Sequence, residues 1–188
     1  HSAYSLLDGA LRIEDIPRLA RKMGHKHVAI TDHGNMFGAV AFYKACMAEG
    51  IHPIIGCEVY VAPGSRFDKK RIDGEAYHHL ILLCENEVGY RNLSKLVSLG
   101  YTEGFYTRPR IDMELLTQYH TGLIALSACL AGVVPTCVRK GDFDGARAHA
   151  KQMRDVMGAK NYYLELQNHG MSEEEDVNRF LLQLSVEL

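Results

Sequence analysis

Thr31-Asp32-His33-Gly34-Asn35-Met36-Phe37-Gly38 follows directly on the short run His27-Val28-Ala29-Ile30, and this junction decides how the chain is read. The preceding run is short, apolar and partly β-branched, so it reads as a buried strand, with Asp32 and His33 standing where that strand surfaces. An acid and an imidazole are costly to bury without a partner, and a divalent metal is one such partner. Gly34 allows tight backbone geometry immediately after the histidine. Outward from this point, His1-Ser2-Ala3-Tyr4-Ser5-Leu6-Leu7-Asp8-Gly9 lies ahead and Gly56-Cys57-Glu58 behind, so potential ligands recur along the chain.

Further strand-like runs fall at about residues 53 to 61, 79 to 84, 122 to 128 and 162 to 167. Helical periodicity marks Ile13 to Met23, Phe37 to Ala48, Val88 to Leu99, Met113 to Tyr119, Phe143 to Met157 and Glu173 to Leu188. Strands alternating with helices imply βαβ units and a largely parallel α/β sheet, open or closed into a barrel, with reactive residues at the carboxyl ends of strands. Asp32, His33 and Cys129 fall at such ends. Glu58 sits within its strand and His79 opens the next, so an antiparallel pairing of these two strands would bring both to one rim. The segment from Ala62 to Tyr77 reads as a long irregular loop carrying the densest basic cluster.

With 188 residues and 47% hydrophobic content, the chain has enough apolar material for one core and reads as a single domain over residues 1–188. A net charge of −2 means that nucleic-acid contact must come from a local patch rather than the overall field. Cys46, Cys57, Cys84, Cys129 and Cys137 are widely spaced and form no CxxC pair, which argues against a disulfide framework or zinc ribbon and fits a reducing cytoplasm. No stretch has the length and apolarity of a membrane span, and no membrane partner is expected.

His1, Asp8, His33, Glu58, His79 and Cys129 offer imidazole, carboxylate and thiolate donors, a mixture suited to Zn²⁺, Mn²⁺ or Fe²⁺. Two or three such ions can clamp a phosphate and make a bridging water more acidic, and a carboxylate such as Glu58 can bridge two of them. Each residue also has a plainer reading. Asp32 is read as a support that holds His33. Glu58 lies in an otherwise apolar run, where an unpaired carboxylate is expensive unless the strand is an edge facing water. Of His78 and His79, one faces inward and one outward, and alternation leaves open which. Cys129 is a ligand or a small buried hydrophobe. Arg66 in the basic loop, and Glu165 and His169 in Leu164-Glu165-Leu166-Gln167-Asn168-His169-Gly170, are candidate substrate contacts, with solvated loop residues as the alternative. Arg108-Pro109-Arg110 reads in the same two ways.

Across HSAYSLLDGA, AITDHGNMFGAVAFYKA, PIIGCEVYVAPGSRFDK, HHLILLCEN, YRNLSKLVS, GFYTRPRID and YYLELQNHG, the chain closely resembles the PHP (polymerase and histidinol phosphatase) domain of bacterial replicative DNA polymerase III alpha subunits. The resemblance implies a distorted (β/α)7 barrel with up to three divalent ions on its rim, lacking its first strand and final segment here. It implies His1, Asp8, His33, Glu58, His79 and Cys129 as metal ligands, decides for His79 over His78, and places a histidine before His1 and an Asp-x-His motif beyond Leu188. It further implies catalytic roles for His33, Glu58 and Asp8 in a metal-dependent phosphoesterase that removes nucleotides from a DNA 3′ end or single strand. Partners would be the remaining polymerase domains of the same polypeptide and other replisome subunits. A non-catalytic platform stapled by metal is the alternative, and a small-molecule phosphatase is a third.

Overall fold

The computed structural model describes residues 1–188. Its centre is a ten-residue strand, β2 (His52–Val61), flanked by β1 (His27–Ile30), β3 (His78–Cys84) and the two-residue β4 (Arg110–Ile111). β5 (Leu123–Leu126) and β6 (Tyr162–Tyr163) extend the sheet in the order β1-β2-β3-β5-β6, while β4 pairs with the far end of β2. The path is open between β1 and β6.

The sheet is mixed, which corrects the expectation of a largely parallel one. β1 and β4 run parallel to β2 and β6 parallel to β5, but β3 is antiparallel to both of its neighbours. The physical reason lies in the connection: residues 62–77 between β2 and β3 contain no helix, so nothing carries the chain back for a parallel return. This antiparallel pairing sets Tyr60 opposite His79 and Glu58 opposite Ile81, so Glu58 and His79 point to the same face.

Alternation along β2 and β3 assigns the other face to the core. Cys57, Val59, Val61, Leu80 and Leu82 join Leu93, Leu96, Leu116, Leu123, Met153, Leu181 and Leu184 in the main apolar cluster. Helices α3 (Glu87–Thr102), α6 (Phe143–Met157) and α7 (Ser172–Glu187) supply the covering side chains. A smaller cluster of Ile13, Ile16, Ile30, Phe42, Cys46 and Ile51 packs α1 (Asp15–Lys22) and α2 (Ala39–Glu49) against β1. Asn86 caps α3 by accepting from Gly89 N at 3.1 Å, and Asp112 caps α4 (Met113–Tyr119) by accepting from Leu115 N at 3.1 Å. One helix, α5 (Val133–Arg139), was not expected from periodicity. It is seven residues long, and Pro135 falls in its first turn, where no intrahelical N–H is required.

His149 sits on the inner side of α6, and burial holds its imidazole down at about 4, with His78 nearby adding to the effect. A base with its folded pKa below its unfolded value binds more protons when unfolded, so the stability present above about pH 6.5 is lost as pH falls towards 4. Urea unfolding at pH 7 and pH 4.5 should therefore show a loss on the order of 2 kcal/mol through this group, and His149→Leu should flatten that part of the pH dependence.

Candidate metal centre

The chain surfaces from β1 at Thr31, and an isolated parallel bridge then pairs His33 with Glu58. Gly34 N donates to Glu58 O at 2.8 Å and Glu58 N donates to Asp32 O at 3.1 Å, so β2 holds the strand-end motif by its backbone. Gly34 takes a left-handed φ of 64°, and a Cβ there would stand 2.8 Å from the Tyr60 ring and 3.1 Å from Pro109. The glycine thus lets β2 and the loop before β4 close against His33.

Glu58 is 4% exposed and lies at the junction of the imidazoles. Its Oε1 is 2.6 Å from His33 Nδ1 and 3.0 Å from His79 Nδ1, and its Oε2 is 3.7 Å from His1 Nε2. His33 Nε2 reaches Asp8 Oδ2 at 2.7 Å on the exposed rim, and Cys129 Sγ lies 3.5 Å from His79 Nδ1. The rings of His1 and His33 stack at 4.0 Å. Two triads result, His1–His33–Glu58 and Glu58–His79–Cys129, each with ligand atoms within 4.8 Å of one another. Glu58 belongs to both.

Electrostatics follow from this crowding. Burial pushes the Glu58 carboxyl up, but the neighbouring His79 and His33 outweigh it, and the net shift is downward. Burial likewise opposes charge on His79, yet Cys129 and Glu58 raise it to about 10. Hydrogen bonding to His33 lowers Asp8. A buried carboxylate that draws imidazoles of three separate segments, with a sulfur beside one of them, is a donor set that fits a divalent transition ion.

Asp32 supports His33 indirectly, through the segment before it. It is 2% exposed, and its carboxylate accepts from Ser2 N at 2.6 Å, Ser2 Oγ at 2.7 Å and Ser5 Oγ at 2.7 Å. It touches no part of the His33 ring, because consecutive residues of an extended chain point to opposite sides. Its link to His33 runs through Ser5, whose Oγ accepts from His33 N at 3.0 Å. Asp32 thereby anchors the segment that bears His1 and Asp8. Ser2 and Ser5 were not singled out from sequence, where two small hydroxyl residues near a terminus carry no distinguishing signal.

The remaining candidates separate. Arg66 is corrected to a structural role: its guanidinium is spent on Glu103 at 2.7 Å, Asp112 at 3.1 Å and Glu114 at 3.1 Å. Glu165 accepts from Gln167 at 2.8 Å through one oxygen, while its other oxygen is buried without a partner. His169 is held by Glu174 at 2.6 Å and stands at the border of an open groove of about 1300 Å³ that also meets His79 and Cys129.

A mixed α/β sheet gathering histidines, a shared carboxylate and a cysteine on one rim is what the resemblance to PHP domains implies. The family model for the PHP domain matches residues 1–169, and the chain belongs to that family. It is 51% identical over 189 aligned positions to DNA polymerase III subunit alpha of Treponema pallidum, covering 100% of this chain and 16% of that protein. The corresponding subunit of Borreliella burgdorferi is 49% identical, with 100% and 16% covered, and that of Thermus aquaticus 45%, with 96% and 15% covered. The chain thus spans about one-sixth of the length of these relatives. Among solved structures, it superposes with a TM-score of 0.55 and 15% identity on a candidate metal-dependent phosphoesterase from Bifidobacterium adolescentis, covering 100% of this chain and 81% of that one. That likeness shows the shared fold.

Sharing of Glu58 between the triads has a stoichiometric consequence. Elemental analysis of purified variants should show a larger loss of bound metal per protein for Glu58→Ala than for His1→Ala or Cys129→Ala. Equal losses in all three would mean a single ion position.

Proposed function

We propose that the chain is the PHP domain of a replicative DNA polymerase of the DNA polymerase III alpha type, and that this domain is a metal-dependent phosphoesterase acting as a 3′-5′ exonuclease. The observation that carries this reading is the sharing of one buried carboxylate, Glu58, by two ligand triads at the edge of an accessible groove. A purely structural ion needs closure on all sides, whereas His1, His33 and His79 keep side-chain exposures of 31%, 23% and 18%.

In this reading His1, Asp8, His33, Glu58, His79 and Cys129 hold the ions, Zn²⁺, Mn²⁺ or Fe²⁺ by their chemistry. Divalent ions supply positive charge against phosphoryl oxygens and lower the pKa of water, which is the help phosphodiester hydrolysis requires. The chain's own part is positional. Glu58 lies against Nδ1 of His33 and of His79 and Asp8 against Nε2 of His33, so the donor atoms already converge where ions would replace the shared protons. The Asp32 carboxylate ties Ser2 and Ser5 to the strand end, so that His1 and Asp8 arrive at the rim together. The groove reaches the rim at His79 and Cys129, which supports entry of a single-stranded 3′ end from that side. The other domains of the same polypeptide and further replisome subunits are the partners of this reading, in the cytoplasm.

One observation favours the alternative of a non-catalytic platform: the same contacts that gather the ligands also pin segment 1–9 to the sheet. The two readings part on hydrolysis. In full-length protein free of other nucleases, shortening of a 5′-labelled single strand from its 3′ end should require Mn²⁺ or Zn²⁺. It should fall at least a hundredfold in His33→Ala and Glu58→Ala. Undiminished shortening in both variants would sink the catalytic reading, and bound metal without shortening would support the platform.

A further inference from the structure

Arg108 is an exposed arginine near the ligand cluster, and Arg66, Lys140 and Arg110 are each engaged where it is not. Arg66 is consumed by three carboxylates, and Lys140 pairs with Glu75 at 3.2 Å. Arg110 is fully buried and donates to the carbonyls of Gly104, Ala76, Arg66 and Asp68 at 2.9 to 3.2 Å. Arg108 pairs with no carboxylate.

Instead its guanidinium lies beside an aromatic ring of the site. Its guanidinium carbon lies 5.8 Å from the centre of the Tyr60 ring. Tyr60 in turn meets the ligand histidine His79 edge-on at 5.4 Å, and Tyr77 lies nearly parallel to that histidine at 5.9 Å and 9°. Pro109, the next residue, packs over Gly34 beside His33. Tyr60 and Pro109 therefore seat the turn that carries Arg108 beside His79 and Gly34.

Backbone strain marks the same position. Four non-glycine residues have a left-handed φ, and three of them, Leu7 at 93°, Ala128 at 63° and Thr107 at 61°, immediately precede Asp8, Cys129 and Arg108. Such conformations are strained and persist where surrounding structure enforces them, typically at sites that must aim a side chain. Tyr106 N donating to Arg108 O at 3.0 Å closes the tight turn that enforces the Thr107 conformation.

We propose that Arg108, steadied by Tyr60, is the phosphate-recognition residue of this centre, binding a non-bridging oxygen of the phosphoester presented to the ions. The inference rests on the phosphoesterase reading above and adds the group that orients its substrate. A guanidinium is permanently charged, and its planar fork matches two phosphoryl oxygens, which a point-charge ammonium does not. With no carboxylate to displace, its charge is available to an incoming anion.

The test uses metal-loaded full-length protein, with inorganic phosphate as the probe in calorimetry at fixed ionic strength. Arg108→Gln should weaken phosphate binding at least tenfold, Arg108→Lys should fall between it and wild type, and Arg91→Gln on the outer face of α3 should match wild type. Metal content should be the same in all four proteins. Wild-type phosphate affinity in Arg108→Gln, absence of phosphate binding in the wild type, or metal loss in Arg108→Gln comparable to Glu58→Ala would each overturn the proposal. A labelled oligothymidylate then separates the sources of phosphate. If the ester is a DNA diester, Arg108→Gln lowers the salt dependence of strand binding by about 0.7 in logarithmic slope, as expected for one lost single-strand phosphate contact. An unchanged slope with phosphate binding lost assigns the residue to small phosphomonoesters. Phosphate binding through Arg108 without strand shortening would overturn the nuclease reading while leaving the assignment of Arg108 in place.

Discussion

The Glu58 carboxylate is the constraint from which the rest of the site follows. Buried in an apolar strand, it would be costly unless its charge were met, and it is met from three directions by His1, His33 and His79. Each of those imidazoles comes from a different segment, so satisfying one side chain pulls together the N-terminal loop, the end of β1 and the start of β3. β2 serves two purposes through simple alternation. Cys57, Val59 and Val61 enter the core, while Glu58 and Tyr60 face the rim. A slip of one residue in the pairing of β2 with β3 would exchange these sets, so core packing and site geometry select the same register.

A second network gives the long loop between β2 and β3 its shape. Asp112 caps α4 and at the same time binds the backbone and guanidinium of Arg66, while Arg110 donates to four carbonyls from inside the fold. Residues 62–77 have no helix or strand of their own to satisfy their polar backbone groups. The buried arginines supply donors in place of regular structure. In each of the two basic stretches one arginine, Arg66 or Arg110, is thereby withdrawn from solvent, while Lys69, Lys70, Arg71 and Arg108 stay at the surface.

The N-terminal segment depends on Asp32 in a comparable way. Three donors on Ser2 and Ser5 converge on a carboxylate that points away from the ligand cluster, and the adjacent His33 points into it. One dipeptide at the end of β1 therefore organises two layers: a clamp that fixes where residues 1–9 lie, and a ligand that uses the fixed position of Asp8.

Much of this was legible in the residues themselves. An apolar run ending in Thr-Asp-His-Gly announced a strand that surfaces with an acid and an imidazole, a lone Glu in an apolar strand announced a buried carboxylate in need of partners, and helical periodicity located six of the seven helices. These readings succeed because periodicity and burial cost are local properties of a segment. Tertiary structure alone decided that β3 runs antiparallel to both neighbours, that Asp32 serves Ser2 and Ser5 rather than the imidazole beside it, and that Arg66 is internal while Arg108 is free. Arg66 and Arg108 look alike in sequence, each an arginine in a polar, aromatic-flanked loop. What separates them is Asp112, 46 residues from Arg66 along the chain yet in contact with it in space. The energy of a charged side chain is set by the partners that long-range pairing brings to it, and no local pattern encodes those partners.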